Sequence, residues 1–166
     1  MNDIKNRPNK IPWPPLIYIS VFVASSLLNL IVPLDTRAVV AALPFLQSLG
    51  AVLMVVGLGL DFSAMYAMYR ARTNILPHRA ADKLLTSGVF SFTRNPIYVG
   101  NTLLLLGTAL HWPLPWLVPA TFLAALAVDR LAIRREETHL ALRFGSEFTA
   151  YMRRTPRWIG RVKISP

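Results

Sequence analysis

Residues 93–100 read Thr-Arg-Asn-Pro-Ile-Tyr-Val-Gly, and they mark the point where a basic, polar loop gives way to an apolar helix. Asn95 suits the N-cap of a helix, and Pro96 suits the first helical position, where no N–H is needed. The stretch therefore predicts a helix that begins at Pro96 and points free backbone N–H groups at the loop, an arrangement that attracts anions. A basic residue and a phenol also lie at this helix start, which is more than a membrane anchor requires.

Apolar runs on both sides of this stretch predict an all-α, polytopic membrane protein. Runs free of Asp, Glu, Lys and Arg cover residues 16–34, 39–60, 96–112 and 114–128, in a chain of 166 residues of which 54% are hydrophobic. A spanning helix needs about 20 apolar residues. The first two runs qualify outright and the third marginally, and the fourth qualifies because its helical pattern continues past Asp129. We therefore expect four transmembrane helices.

The basic residues predict the orientation of these helices. Of 18 Lys and Arg, 17 fall in the N-terminal tail, the loop between the second and third runs, and the segment from Arg130 onward. Only Arg37 falls on the other side. By the positive-inside rule, both termini are cytoplasmic, and a bacterial inner membrane is the expected location. Topology and attraction to anionic headgroups explain the net charge of +10, so no nucleic-acid partner is expected.

The chain reads as one domain with two parts. Residues 1–72 hold a Pro-rich, non-helical lead (1–15) and the first two helices, the second running on to about Arg72. Residues 73–166 hold a long loop, the third and fourth helices and the C-terminal helices. The loop covers residues 73–93, and loops of this length are often functional.

The C-terminal part predicts a long helix followed by an amphipathic segment. Pro119 either begins the fourth helix or kinks it. From Ala120 the helical pattern runs to about Phe144, where Gly145 is a plausible stop. An amphipathic cytosolic helix over residues 146–154 is expected to lie on the membrane or to dock on the long loop.

An acidic pair, Glu136 and Glu137, follows the fourth run. Adjacent helical positions point to faces about 100° apart, so only one of the two is expected to face a given site. The alternative is a solvated stretch that pairs with Arg134, Arg135 and Arg143. Glu136 and His139 have di-iron spacing, but such sites need two copies and further carboxylates, so no metal is expected.

Four other ionisable residues leave two interpretations open. His78 and His111 are isolated and are expected to be loop or interfacial histidines. Asp61 and Asp129 lie near the cytoplasmic ends of the second and fourth helices. Ionisable groups in spans are functional candidates, but near a helix end they can also form simple ion pairs, such as Asp129 with Arg130.

Three groups of residues carry a family resemblance. Residues 84–90 read Leu-Leu-Thr-Ser-Gly-Val-Phe, and residues 93–100 follow. The third group is Glu136-Glu137, Leu140, Phe144-Gly145, Phe148, Tyr151 and Thr155-Pro156-Arg157. In order and spacing, they resemble the isoprenylcysteine carboxyl methyltransferase and phospholipid methyltransferase families, which are integral membrane enzymes that use S-adenosylmethionine. The resemblance covers roughly residues 73–158.

This resemblance implies a cofactor pocket at the cytosolic face, closed by the C-terminal segment and open laterally to a lipid-like substrate. The implied cofactor contacts are Leu84, Leu85, Phe90, Asn95, Pro96, Tyr98 and Glu136, and Glu137 completes the acidic pair of the phospholipid branch.

The same resemblance leaves the methyl acceptor open between an isoprenylcysteine-like carboxylate and a phospholipid-like amine. The isoprenylcysteine enzymes commonly have His where this chain has Asn95, and Ala132 falls where a eukaryotic member has a substrate-contacting Arg. Arg94, Arg130 and Arg134 are the substrate-binding candidates on this basis.

The leading hypothesis is therefore S-adenosylmethionine-dependent methyl transfer to a lipophilic acceptor. A hydroxyl or amine acceptor has to lose a proton, and Tyr98 and His139 are the catalytic candidates for taking it. Two alternatives stay open. One is an NADPH-dependent membrane reductase, because steroid reductases are similar in their C-terminal membrane region, and the other is a non-enzymatic membrane assembly factor. The sequence does not specify the oligomeric state.

Overall fold

The computed structural model describes residues 13–35, 42–73 and 82–160, and within these ranges the chain forms helices and no strand. The elements are α1 (Trp13–Ile31), α2 (Leu43–Ala71), a 3-10 turn (Gly88–Ser91), α3 (Pro96–His111), α4 (Leu117–Val128), a π-helical turn (Asp129–Ile133) and α5 (Arg134–Arg154). The all-α prediction is confirmed for the described residues. The residues outside the described ranges include His78 and the basic residues Lys5, Arg7, Lys10, Arg37, Arg79, Arg161 and Lys163.

The first helix begins earlier than the sequence predicted. Pro14 and Pro15 belong to the first turn of α1, so the expected non-helical lead over residues 1–15 is wrong at its end. The physical reason is that prolines fit the first helical turn, where their missing N–H groups have no intrahelical partner. α2 ends at Ala71, close to the predicted Arg72, which adopts a left-handed φ of 54° as the C-cap.

Two of the described helices, α1 and α2, are long and apolar enough to cross a membrane by length and composition alone. α3 and α4 have 16 and 12 residues. α4 is not an isolated short helix, because it continues through the π-helical turn into α5. Helices therefore form in all four apolar runs, while the number of spans and the cytoplasmic termini stay predictions.

The path from α4 into α5 differs in detail from the predicted one. The helix begins at Leu117, so Pro119 lies in its first turn and does not kink it. A π-helical turn over Asp129–Ile133, which the sequence did not predict, shifts the helical register. Gly145, the predicted stop, kinks α5 at a φ of 51° and a second helical stretch follows.

α2 and α3 pack closely because glycines face one another across the contact. A Cβ atom at Gly57 would lie 2.7 Å from the carbonyl oxygen of Gly100, and one at Gly107 would lie 2.6 Å from that of Gly50. Small residues allow helix backbones to approach in this way in membrane proteins. This pairing holds Gly100, near the start of α3, against Gly57 and Asp61 of α2.

α1 packs mainly on α4 and fixes the other side of α3. The buried core joins Tyr18 of α1, Tyr98 of α3 and Val128 of α4 to Ala132 and Ile133 of the π-helical turn. The hydroxyl of Tyr18 donates to the carbonyl oxygen of Tyr98 at 3.2 Å. The start of α3 is therefore held between α1 and α2, with the beginning of α5 close to it.

Candidate functional site

A cavity of about 410 Å³ lies at the start of α3. Its walls come from the first turns of α1, the end of α2, residues 83–90, the first turn of α3 and the face of α5 that carries the acidic pair. Every predicted cofactor residue lines it: Leu84, Leu85, Phe90, Asn95, Pro96, Tyr98, Glu136 and Glu137. The structure thus brings together residues that lie more than forty positions apart in the chain.

The catalytic and substrate candidates separate into two groups. Tyr98, His139 and Arg94 line the cavity, and His139 is almost fully buried. Arg130 and Arg134 are not among the lining residues. Arg130 is exposed, and Arg134 binds Asp129 at 3.0 Å.

The two residues of the acidic pair make different contacts. Tyr98 donates its hydroxyl to Glu136 Oε1 at 2.7 Å, while Glu137 binds Arg94 at 2.6 Å. Both residues line the cavity, and the expectation that only one carboxylate faces a ligand there stays a prediction.

Glu137 is held between two arginines. Arg94 donates through Nε and Nη2 to Oε1, and Arg157 donates through Nε to Oε1 at 3.0 Å and through Nη2 to Oε2. Burial alone would raise the pKa of Glu137, but the hydrogen bonds and charges of Arg157 and Arg94 outweigh it, and the pKa is lowered. The hydrogen bond and charge of Glu137 in turn raise the pKa of Arg157. Glu137 therefore stays ionised at neutral pH.

The network continues to the π-helical turn. Arg157 Nη1 binds Asp129 Oδ1 at 3.2 Å, and Trp158 donates to the same oxygen at 3.3 Å. Arg134 binds the other oxygen of Asp129. The predicted ion pair between Asp129 and Arg130 is therefore wrong. The reason is that the folded C-terminal segment brings Arg157 and Trp158 to Asp129, and Arg134 follows it by little more than one turn.

Residues 155–159 form a segment, here called the C-terminal strap, that binds the residues just before α3. The carbonyl oxygen of Arg157 accepts from Asn95 Nδ2 at 2.9 Å and from Thr93 Oγ1 at 3.1 Å. The backbone N–H of Arg94 donates to the Pro156 carbonyl at 2.9 Å, and its Nη1 donates to the Thr155 carbonyl at 2.7 Å. Residues 93–95 therefore clamp the strap.

Asn95 occupies the N-cap position that the sequence predicted, but its side chain does not cap the helix. The amide instead donates to the strap. The prediction that the Asn95 side chain caps α3 is wrong. The reason is that its amide binds the carbonyl oxygen of Arg157, 62 residues further along the chain. The Asn95 side chain therefore forms no hydrogen bond with the N–H groups of the first turn of α3.

The second half of α5 docks on the 3-10 turn, in line with one of the two predicted placements. Tyr151 donates its hydroxyl to the Phe90 carbonyl at 2.6 Å, and burial raises the pKa of Tyr151 to about 12. Phe148 is buried beside it and lines the cavity. This contact fixes the residues that flank Phe90.

Sequence reasoning missed the contribution of the first two helices to the site. Pro14, Pro15, Tyr18 and Ile19 of α1 and Met68 of α2 also line the cavity. No motif singles them out, because ordinary apolar and aromatic membrane residues acquire this role only through packing. Arg157 belonged to the family resemblance, but no pattern in the sequence assigned it to Glu137.

The comparisons with known proteins agree with this architecture. The profile of the phospholipid methyltransferase family matches residues 45–147, which is more than half of the chain. The protein defined by this fold and site is therefore a member of a methyltransferase family associated with membranes. The chain belongs to the phospholipid methyltransferase family.

Two relatives of known name are similar to parts of the chain. The nickel-cobalt-cadmium resistance protein NccN of Alcaligenes xylosoxydans xylosoxydans is 31% identical over 117 residues, which are 70% of this chain and 54% of that protein. The cobalt-zinc-cadmium resistance protein CzcN of Cupriavidus metallidurans is 35% identical over 86 residues, which are 52% of this chain and 39% of that protein. The matched part thus spans about half or less of the length of these relatives.

Proposed function

We propose that the protein transfers a methyl group from S-adenosylmethionine to a lipophilic acceptor held in the membrane, at the cytosolic face. The observation that carries the proposal is the cavity at the start of α3, which is lined by all eight residues implied as cofactor contacts. Family membership supports methyl transfer to a lipid-like substrate. The multi-pass topology and the cytoplasmic termini belong to the same proposal.

The lining residues match the chemical groups of this cofactor. Glu136, oriented by Tyr98, accepts hydrogen bonds from ribose hydroxyls or from the amino group. The N–H groups of the first turn of α3 suit the carboxylate. Leu84, Leu85 and Phe90 offer an apolar surface to a flat ring. When bound, the cofactor supplies an already activated methyl group.

The protein's own contribution is positioning and the exclusion of water. Methyl transfer is an in-line displacement, for which near-attack positioning supplies about 7–11 kcal/mol. Arg94 and Arg157 both bind Glu137, a lining residue of the cavity, and so hold this wall and the strap in a fixed position. A carboxylate acceptor needs no base, whereas an amine or hydroxyl acceptor transfers its proton to His139, which lines the cavity. The phenol of Tyr98 keeps its own proton and donates it to Glu136.

Binding of S-adenosylmethionine to the purified protein, measured by calorimetry, tests the proposal. We expect binding by the wild type and strong loss in Glu136→Ala, while Glu147→Ala, an exposed position of α5 outside the cavity, binds normally. A parallel titration with NADPH tests the reductase alternative. Binding of NADPH without binding of S-adenosylmethionine would contradict methyl transfer.

A second proposal concerns the biological setting. The similarity to the two metal-resistance proteins favours a role of the methylated product in tolerance to toxic metal ions. Direct ion binding has less support, because residues 13–35, 42–73 and 82–160 contain no group of three or more His, Cys, Asp or Glu that could hold a metal. Growth of a deletion strain on nickel, cobalt and cadmium, complemented by wild type or Glu136→Ala, tests this role. Complementation by the variant would favour a non-enzymatic function.

A further inference from the structure

Three arginines form a basic surface outside the cavity, where the apolar helix α4 continues into α5. Arg130 of the π-helical turn and Arg134 and Arg135 of α5 are exposed, and none of them lines the cavity. These three residues are here called the outer basic face. They follow Val128, the last residue of α4, by two to seven positions. At a rise of about 1.5 Å per residue, they lie within about 10 Å of the end of an apolar helix.

The outer basic face continues an exposed apolar stripe of α4. Leu123 and Leu126 are 66% and 48% exposed, and Arg130 follows Leu126 by four residues. Helical residues three and four positions apart are neighbours on the same face, so these side chains follow one another along one line. Phe122 is exposed beside Leu123 and widens the stripe. The outer surface is therefore apolar along α4 and cationic directly beyond it.

The charge of the outer basic face is not neutralised within the described part of the chain. No residue in that part forms an ion pair or a side-chain hydrogen bond with Arg130 or Arg135. Arg134 binds Asp129 through Nε, and its side chain is still 60% exposed. Asp129 also binds Arg157, and the acidic pair lines the cavity, so these carboxylates do not neutralise Arg130 or Arg135.

We propose that the outer basic face binds the phosphate headgroup of an anionic membrane lipid, whose acyl chain lies along the apolar stripe of α4. Arginine presents a planar fork of N–H donors that matches the oxygens of a phosphate. Basic residues directly cytoplasmic of a spanning helix attract anionic lipids. An acidic protein surface would bind the arginines but would leave the adjoining apolar stripe without a partner, so a lipid is favoured. The site is separate from the cavity and rests on the proposed function only for the membrane placement of α4.

Native mass spectrometry of the full-length protein in detergent tests the site with three probes. Phosphatidylglycerol has an anionic headgroup, and phosphatidylcholine with the same acyl chains has no net charge. Glycerophosphoglycerol is the anionic headgroup without acyl chains. We expect the wild type to retain phosphatidylglycerol in preference to both other probes. The first comparison tests the arginines, and the second separates a lipid from a soluble phosphate compound.

Single substitutions locate the site. Arg130→Gln and Arg135→Gln are each expected to weaken phosphatidylglycerol binding by about fivefold, because a basic residue near an anionic lipid surface contributes about 1 kcal/mol. Arg134 is left intact, since its ion pair with Asp129 would be lost as well. Arg153→Gln removes the same charge from an exposed position near the end of α5 and is expected to bind the lipid as the wild type does. The thermal midpoint of each variant checks that it is folded.

Three outcomes would overturn the inference. The first is equal retention of phosphatidylglycerol and phosphatidylcholine by the wild type. The second is an equal loss in Arg130→Gln and Arg153→Gln, which would show that only the net charge matters. The third is equal retention of glycerophosphoglycerol and phosphatidylglycerol, which would indicate a site for a soluble anion or an acidic protein surface.

Calorimetry with S-adenosylmethionine on the same samples keeps the two proposals apart. Normal cofactor binding without a preference for phosphatidylglycerol contradicts only the lipid site. A preference for phosphatidylglycerol without cofactor binding contradicts only the proposed function.

Discussion

Tyr98 donates its phenolic proton to Glu136 Oε1 at 2.7 Å, and this bond joins the first turn of α3 to the first turn of α5. The two residues are 38 positions apart, and both line the same cavity. The bond sets the position of one carboxylate, while its neighbour Glu137 is held by two arginines. The acidic pair thus divides into Glu136, which is bonded to the start of α3, and Glu137, which anchors the C-terminal strap.

The first prediction concerns Tyr98→Phe. Removing the hydroxyl takes away a donor that orients Glu136, and a hydrogen bond to a charged group contributes about 1.5–3 kcal/mol. We expect affinity for S-adenosylmethionine to fall by about tenfold or more in calorimetry. Tyr66→Phe, at an exposed position of α2 outside the cavity, is the matched control. Equal affinities in the two variants would contradict the orienting role.

The second prediction concerns Glu137→Gln. The change keeps the shape of the side chain but leaves Arg94 and Arg157 facing a neutral amide. Breaking a mostly buried ion pair in this way costs on the order of 3 kcal/mol, discounted for the partial exposure of Arg157. Thermal unfolding in detergent measures this loss of stability. Glu147→Gln, exposed on the same helix, is expected to unfold at the wild-type temperature.

The third prediction follows from the lowered pKa of Glu137. A carboxylate whose pKa is lower in the folded state binds fewer protons there than in the unfolded state, so it contributes stability above its ordinary value of 4.5. That contribution is lost as the pH falls through the lowered folded-state value. Unfolding curves between pH 7 and pH 3 are therefore expected to decline less steeply for Glu137→Gln than for the wild type. Parallel curves would show that Glu137 is not the responsible group.

The fourth prediction compares two glycines of α2. A methyl group at Gly57 would meet the Gly100 carbonyl oxygen at 2.7 Å, whereas one at Gly59 would have nothing within 4 Å. We expect Gly57→Ala to destabilise the protein by about 1–3 kcal/mol through overpacking. Gly59→Ala is expected to be neutral or stabilising, because alanine favours helix over glycine by about 1 kcal/mol. The free energy of unfolding of both variants, measured in the same detergent, tests this prediction. Equal changes in the two variants would argue against close α2–α3 packing.

The fifth prediction concerns the clamp on the C-terminal strap. Asn95→Asp replaces an amide donor with a carboxylate that faces the Arg157 carbonyl, so the 2.9 Å bond becomes a repulsion. Hydrogen exchange of residues 155–159 is expected to speed up, while exchange in the middle of α4 stays unchanged. Asn29→Asp on α1, whose side chain has no part in the clamp, is the control. Unchanged exchange in the strap would show that Asn95 does not secure it.

The sequence by itself determined the helices and much of the candidate lining. Apolar runs of membrane length and the Asn95-Pro96 pair locate α3, because hydrophobic length and proline position are local properties of the chain. The eight residues that the family pattern implies as cofactor contacts all line the cavity, since their order and spacing are written in the sequence.

Only the tertiary structure decided which charges meet and what each polar side chain does. Asp129 pairs with Arg157 and Arg134 and not with Arg130, and Asn95 binds the strap and does not cap its own helix. Hydrogen bonds and ion pairs depend on distances of about 3 Å between atoms, and residues far apart in sequence reach such distances only after packing. The same holds for Asp61, whose place against Gly100 follows from the close approach of α2 and α3.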